Sequence, residues 1–152
     1  MLIMPIGDVC IREVVTASRG TTIQEACGLM RHHHVGNVVV IEDYEGASRP
    51  VGIITDRDIV VSVIALGLTP NVFSLGDLLS HPLVSAQQDQ GIFECIRHMR
   101  MSGVRRMPIV DHSGGLVGIV SVDDLIQLLA EEMGELAQLI SKEQAQEAQT
   151  KI

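Results

Sequence analysis

An internal duplication constrains this chain of 152 residues more than any other feature of its sequence. With a shift of 69 positions, residues 6–9 (Ile-Gly-Asp-Val) lie over residues 75–78 (Leu-Gly-Asp-Leu), and residues 38–41 lie over residues 107–110. After a three-residue deletion in a loop, where changes of length are tolerated, the alignment continues through the pairs Gly52 and Gly118, Thr55 and Ser121, and Asp58 and Asp124. The chain is therefore predicted to hold two copies of one unit of about 65 residues.

Each copy has the pattern of a small α/β unit. Apolar residues recur at helical spacing in its first half. Two short β-branched runs follow, at residues 38–41 and 51–54 in the first copy and at residues 107–110 and 116–120 in the second. Polar or glycine-containing turns separate these runs, over residues 42–50 and 111–115. The predicted fold class is α/β, with tandem β-α-β-β-α repeats packed about a pseudo-two-fold axis.

The helices that close the two copies differ. Residues 59–66 are apolar almost all round, which predicts burial on more than one side and a contact with another subunit. The last helix is expected to run from Val122 toward Lys142, with Gly134 as a weak point that could divide it. Its apolar stripe indicates either an amphipathic packing helix or a second dimer contact. The predicted boundaries are residues 1–69 for the first repeat, 70–133 for the second, and 134–152 for a C-terminal helical extension and tail.

Composition excludes several classes of function. Eleven Lys and Arg residues against 19 Asp and Glu give a net charge of −8, which argues against binding to nucleic acid. No apolar run approaches the ~20 residues that span a bilayer, and the N-terminus does not have the pattern of a signal peptide. The three cysteines show no CxxC spacing, which suits a reducing compartment. The sequence therefore predicts a cytoplasmic protein that contacts neither nucleic acid nor membrane.

The strongest candidate for chemistry is the junction between the second strand and the helix of each copy. A hydroxyl, Thr55 or Ser121, is followed three residues later by a carboxylate, Asp58 or Asp124. This spacing is that of a capping box, which would start both helices. The box usually uses Glu or Gln, whereas Asp could also accept hydrogen bonds from a ribose diol, with the hydroxyl and free N–H groups nearby for a phosphate. Both interpretations remain open from the residues alone.

The sequence resembles the tandem CBS-domain module, the CBS pair or Bateman module named from cystathionine beta-synthase, in its small bacterial form that stands alone. The resemblance runs from about Ile6 to about Met133. It is carried by residues 51–58 (Val-Gly-Ile-Ile-Thr-Asp-Arg-Asp), 104–111 (Val-Arg-Arg-Met-Pro-Ile-Val-Asp) and 116–121 (Leu-Val-Gly-Ile-Val-Ser). It implies a non-catalytic regulatory sensor of AMP, ADP, ATP, NAD(H) or S-adenosylmethionine. It also implies a homodimer that signals to an unidentified protein by a change of conformation or packing.

The resemblance also implies two clefts between the repeats. The first cleft would be lined by Ile53, Thr55, Asp58, Leu83, Val84, Arg105 and Arg106. Leu83 and Val84 would cover the base, and Arg106 would face the phosphates. The second cleft would be lined by Val14, Val15, Thr16, Asn37, Ile119, Ser121 and Asp124. Asn37 stands where the first cleft has Arg106, so this cleft lacks the phosphate-binding charge.

Other residues invite weaker interpretations. His32, His33 and His34 cannot converge on one metal ion from a helix, because neighbours point about 100° apart, so they are expected to form a helix end and loop. Cys27 and Cys95 lie on apolar helix faces and are expected to pack. The sequence also has a basic cluster, which is interpreted either as a solvated face or as a rim that collects anions. Its members are Arg97, His98, Arg100, Arg105 and Arg106.

Two functional classes other than a sensor have their own requirements. A purely structural dimerisation module would have empty clefts and two ordinary helix caps. An enzyme would need a nucleophile with a base, a phosphate-binding glycine loop or a metal site, and the sequence offers none of these. The sequence therefore predicts that the protein is not an enzyme and uses no catalytic cofactor. Since the two repeats fill the chain, any output is expected to pass through another molecule.

Overall fold

The computed structural model describes residues 4–150. Two three-stranded sheets, each with its helices, repeat the same order of elements along the chain. The first repeat begins with a 3-10 helix (Ile6–Asp8) and then contains β1 (Thr16–Ala17), α1 (Ile23–His33), β2 (Asn37–Tyr44), β3 (Ala47–Thr55) and α2 (Asp56–Ile59), which continues as a π-helical segment (Val60–Ile64). The second contains α3 (Leu75–Leu78), β4 (Ala86–Gln87), α4 (Ile92–Ser102), β5 (Arg106–Val110), β6 (Leu116–Ser121) and α5 (Val122–Thr150). The predicted α/β duplication is confirmed.

The two sheets have the same order, β1-β2-β3 and β4-β5-β6. In each, the short first strand pairs in parallel with the second, and β2 pairs with β3 as an antiparallel hairpin. The core of the first repeat combines one face of α1 with the inner residues of the sheet, and its buried side chains include Ile23, Met30, Val38 and Ile54. These are the apolar positions that the helical and strand periodicities predict.

The chain forms two compact units, residues 1–120 and residues 121–152. Within the first unit the two repeats exchange short segments. The backbone N–H groups of Ile6 and Gly7 donate to the carbonyl oxygens of Gln90 and Gln88 in the second repeat, at 2.7 and 2.9 Å. Conversely, Leu75 N–H donates to Thr21 in the first repeat, and the Leu75 side chain lies in that repeat's core. The segments around Ile6 and Leu75, which are similar in sequence, therefore each form contacts with the other repeat.

The hairpin of the first repeat is longer than predicted. Residues 42–50 were expected to form a turn, but β2 and β3 stay paired to Tyr44 and Ala47, so only Glu45 and Gly46 remain at the turn. Both turn residues have positive φ, 51° and 83°, as tight hairpin turns require. The cation–π contact of Arg49, 4.1 Å from the Tyr44 ring centre, supports this end of the hairpin. The charged residues within positions 42–50 led the sequence pattern to predict a turn where the strands continue.

The last helix is also longer than predicted. It begins at Val122 as expected but continues without a break through Gly134 and past Lys142 to Thr150. A Cβ added to Gly134 would meet no atom within 4 Å, so this glycine is not required by packing. No helix among the described residues is long and apolar enough to cross a membrane.

The cysteines lie where the helical spacing places them. Cys95 is fully buried on α4, and Cys27 is half-buried on α1. Burial raises the pKa of Cys27, and burial, aided by the charge of Glu94, raises the pKa of Cys95 to about 11. Both thiols are therefore protonated at neutral pH.

We expect Cys95 to react with iodoacetamide at pH 8 about a hundredfold more slowly in the native protein than in denaturant, because the thiolate is the nucleophile. Its raised native pKa favours folding at low pH, and that contribution is lost as the pH rises above ~8.5 toward 11. Peptide-resolved mass spectrometry measures the rate at each cysteine. Equal rates in the native and unfolded protein would contradict the burial of this thiol.

Candidate ligand-binding site

One cavity of about 640 Å³ opens between the two repeats, within residues 1–120. The end of β3 and the start of α2 form one wall, and the segment before β4 and the start of β5 form the other. All seven residues predicted for the first cleft line this cavity: Ile53, Thr55, Asp58, Leu83, Val84, Arg105 and Arg106. The structure brings these seven residues together around one cavity, whereas their role in binding a ligand stays a prediction.

The junction of β3 and α2 is a complete capping box. Asp58 N–H donates to Thr55 Oγ1 at 3.1 Å, and Thr55 N–H donates to Asp58 Oδ2 at 2.9 Å. Each bond satisfies a backbone or side-chain group at the helix start. The carboxylate therefore faces its own backbone, but the cavity lies beside it, and Asp58 Oδ1 accepts no hydrogen bond from residues 4–150. One carboxylate oxygen is available to a ligand.

Two arguments drawn from the sequence are corrected by this geometry. Aspartate in place of glutamate does not by itself indicate a ligand, because Asp77 closes the same box on Ser74 N–H, at 2.9 Å, without lining this cavity. The helix start also offers no free N–H groups. Asp56 N–H donates to the Gly36 carbonyl at 2.9 Å, and Arg57 N–H donates to Asp56 Oδ1 at 2.8 Å. A phosphate in this cavity would have to be bound by side chains.

Three arginine side chains at the cavity are suited to bind a phosphate. Arg57, Arg105 and Arg106 line the cavity, and Arg106 is half-buried at the first position of β5. The other members of the basic cluster, Arg97, His98 and Arg100, are not among the lining residues. The predicted anion-collecting rim therefore reduces to two members of the cluster, and Arg57 joins them from the opposite wall. Planar guanidinium groups bind phosphate oxygens well.

The segment between α3 and β4 supplies the rest of the wall. Leu83 and Val84 are half-buried, and Ser80, His81 and Pro82 line the cavity beside them. A Cβ added to Gly52 would overlap the side chain of Leu79, so the glycine lets this segment approach β3 closely. His81 is a lining residue that the sequence did not predict, because the resemblance carries only Leu83 and Val84 from this segment into the first cleft.

The second set of predicted residues is divided between the two compact units. In residues 1–120, Thr16 pairs with Val39, Asn37 pairs with Thr55, and Ile119 forms a bridge with Ile11. Val14 and Val15 are half-buried just before β1. In the other unit, Ser121 and Asp124 form a capping box with two bonds of 3.1 Å. These residues stay candidates for a second site.

The histidine run forms the end of α1, which stops at His33, and His34 takes the left-handed conformation of a C-cap at φ 54°. The rings of His32 and His33 meet edge to face, with centres 4.9 Å apart. Among residues 4–150, no three His, Cys, Asp or Glu side chains are grouped so that they could hold a metal ion.

Comparison with known proteins decides the family. The CBS domain profile matches this chain twice, over residues 6–64 and 75–131. The chain belongs to the CBS domain family. Its tandem arrangement makes it a CBS-pair regulatory module, and the profile's two matches coincide with the two structural repeats.

Relatives of this CBS pair include two curated sequences. An uncharacterized protein of Methanopyrus kandleri, MK0525, is 37% identical over 123 residues, which are 81% of this chain and 61% of that protein. The CBS domain-containing protein YhcV of Bacillus subtilis is 36% identical over 120 residues, which are 79% of this chain and 81% of that protein. This chain therefore spans less than two thirds of the Methanopyrus protein but most of YhcV.

Solved structures show the same fold. Hypoxic Response Protein I, whose crystal structure has two coordinated zinc ions, is 30% identical with a TM-score of 0.70, covering 81% of this chain and 97% of that chain. The CBS domain protein PAE2072 of Pyrobaculum aerophilum, solved in complex with AMP, is 22% identical with a TM-score of 0.70, covering 80% of this chain and 89% of that chain.

Proposed function

We propose that this CBS pair is a non-catalytic sensor that binds an adenosine-containing ligand in the 640 Å³ cavity and signals to a protein partner. The observation that carries the proposal is the meeting of all seven first-cleft residues around that cavity. AMP, ADP, ATP, NAD(H) and S-adenosylmethionine are the candidate ligands, and the AMP complex of the similar Pyrobaculum protein supports this class. A cytoplasmic location stays a prediction from the sequence.

The chemistry of the cavity fits such a ligand in three parts. Asp58 Oδ1 is free to accept hydrogen bonds from a ribose diol. The guanidinium groups of Arg105 and Arg106 suit phosphate oxygens. Ile53, Leu83 and Val84 offer aliphatic surface to a base. A ligand without phosphate would use only the Asp58 carboxylate and the aliphatic surface.

A thermal shift measurement tests the proposal most directly. A ligand at 100 times its Kd that binds only the native state adds ~2.7 kcal/mol of stability. For a chain of this length, that corresponds to roughly 5–10 °C in Tm. We expect such a shift with at least one of AMP, ATP, NAD(H) and S-adenosylmethionine. No shift with any of them would favour the alternative of a ligand-free dimerisation module.

We further propose that the protein is a homodimer, and the last helix carries the argument. Exposed apolar residues on α5 recur at alternating spacings of three and four, namely Ile126, Leu129, Met133, Leu136 and Ile140. This is the pattern of a coiled-coil seam. The positions that flank the seam on one side are the uncharged Ala130, Ala137 and Gln144, whereas the other side includes Glu132. A second exposed apolar group lies on the π-helical segment, at Val60, Val61 and Ile64.

Leu136→Glu is expected to raise the dimer Kd at least about tenfold, because it buries a charge in the seam. Leu136 is 61% exposed in one chain, so the substitution leaves the isolated chain folded. Gln138→Glu adds the same charge off the seam and serves as the matched control. Sedimentation equilibrium over a range of concentrations measures both, and an equal Kd in the two variants would remove α5 from the interface.

A further inference from the structure

A second cavity, of about 410 Å³, lies beside the turn between β5 and β6. β3 lines it near the first hairpin, and alternate residues of the segment around β4 line it from the second repeat. All of its lining residues belong to the unit of residues 1–120, and only Leu83 is shared with the 640 Å³ cavity. Small-molecule pockets typically measure ~300–1,000 Å³, so this second cavity is large enough for a ligand of its own.

The cationic residue of the second cavity is Arg49. Its guanidinium carbon lies 4.1 Å from the centre of the Tyr44 ring, and a Cβ added to Gly114 would lie 3.2 Å from its Nε. The side chain therefore reaches from the first hairpin to the turn of the second repeat. Among residues 4–150, Arg49 forms no ion pair and its side chain donates no hydrogen bond. Its N–H groups are available to a carboxylate, which a guanidinium binds through two parallel hydrogen bonds.

The anionic residue of the second cavity is Asp111. Its Oδ1 accepts hydrogen bonds from the Ser113 hydroxyl at 2.6 Å and from the N–H groups of Ser113 and Gly115, both at 2.9 Å. These bonds, above all the one from the Ser113 hydroxyl, lower the pKa of the carboxyl group, so it is charged at neutral pH. Asp111 Oδ2 accepts no hydrogen bond from residues 4–150. The carboxylate is therefore held in place by one oxygen while the other is left for a donor from outside the chain.

The first repeat neutralises the equivalent carboxylate internally. Glu42, which the duplication places over Asp111, lies 3.2 Å from Arg19 Nε in an ion pair. The second repeat has the uncharged Gln88 in the position of Arg19. At the second cavity a cation, Arg49, and an anion, Asp111, instead line the same space without forming an ion pair within residues 4–150. Both charges are thus left to solvent or to a ligand.

Apolar and polar side chains complete the lining. Pro50, Leu83 and Val110 supply aliphatic surface, and Ser85 and Gln87 supply uncharged hydrogen-bonding groups. The third titratable lining residue is His112, whose Nε2 lies 3.8 Å from Oδ2 of Asp89. The cavity therefore combines a cation and an anion that have no charged partner among residues 4–150 with an aliphatic surface.

We propose that the second cavity binds a free α-amino acid with an aliphatic side chain. The carboxylate of the amino acid pairs with Arg49, its ammonium group donates to Asp111 Oδ2, and its side chain contacts Pro50, Leu83 and Val110. A phosphate would meet the negative charge of Asp111, and a simple amine would meet the positive charge of Arg49. A zwitterion matches both charges. This site goes beyond the proposed adenosine site and does not depend on it.

Titration with matched ligands tests which charges the cavity recognises. The probe is L-leucine, and its controls are 4-methylpentanoate, which lacks the ammonium group, and 3-methylbutylamine, which lacks the carboxylate. We expect L-leucine to bind at least about tenfold more tightly than either control. Its addition should shift the amide NMR signals of residues 111–115, which form the turn at the cavity. No binding of L-leucine at millimolar concentrations, or equal binding of either control, would overturn the inference.

Substitutions that remove one charge test the protein side of the same contacts. Arg49→Gln and Asp111→Asn should each weaken L-leucine binding about tenfold or more. Arg19→Gln and Glu42→Gln remove the same charges from the equivalent pair outside the cavity and should leave the affinity unchanged. The asparagine oxygen can still accept the hydrogen bonds of the turn, and if Asp111→Asn nevertheless unfolds, Arg49→Gln decides the question. An affinity for L-leucine in Arg49→Gln equal to that in Arg19→Gln would overturn the inference.

Discussion

Arg106→Ala is expected to weaken AMP binding by about ten- to a hundredfold while changing the affinity for adenosine less than about threefold. The physical reason is that the start of α2 has no unused N–H group, since Thr55, Asp56, Arg57 and Asp58 all donate within the chain. A phosphate in the cavity therefore depends on side-chain cations, and Arg106 is a half-buried one.

The matched control is Arg100→Ala, which removes the same charge from α4 outside the lining of the cavity. Calorimetry with AMP and adenosine at two salt concentrations measures the effect. The AMP affinity of the natural protein should fall with added salt more steeply than that of Arg106→Ala. Equal losses for AMP and adenosine would mean that Arg106 supports the sheet through its aliphatic stem and does not face phosphate.

Asp58→Ala is expected to weaken every adenosine-containing ligand by about ten- to a hundredfold, including adenosine itself. It should also cost ~1 kcal/mol of stability, because the carboxylate closes the capping box on Thr55. The loss of ligand affinity and the loss of stability have different origins, and a substitution at another capping box distinguishes them.

Asp77→Ala is that control, since Asp77 closes an equivalent box on Ser74 and does not line the cavity. It should lower stability by a similar amount and leave ligand affinity unchanged. Thermal unfolding without ligand measures the first effect, and calorimetry measures the second. If Asp58→Ala and Asp77→Ala bind ligand equally well, Asp58 is a helix cap only.

Much of the fold follows from local patterns. The helical spacing of Ile23, Ala26 and Met30 predicts the buried face of α1, and all three are buried. The hydroxyl and carboxylate pairs predict both helix starts, at Thr55 and Ser121. Such signals are readable because capping and amphipathicity involve residues within one or two turns of each other.

The errors concern the lengths of the first hairpin and of the last helix. Charged residues in the first hairpin suggested a long turn, yet pairing between β2 and β3 extends the strands to Tyr44 and Ala47. Gly134 was expected to be a weak point, yet α5 passes through it to Thr150. Backbone hydrogen bonds already formed in the surrounding helix or sheet outweigh the preference of one residue.

The candidate site shows the same division between sequence and structure. By itself the sequence determined the duplication, the order of elements, the helix caps and, through family resemblance, the seven residues that meet around one cavity. Only the tertiary structure decided which polar groups remain available there. It showed that the amides at the start of α2 are occupied and that no donor within residues 4–150 reaches the second carboxylate oxygen of Asp58. The reason is that a hydrogen bond consumes both partners, and the register of strands far apart in sequence determines which partners meet.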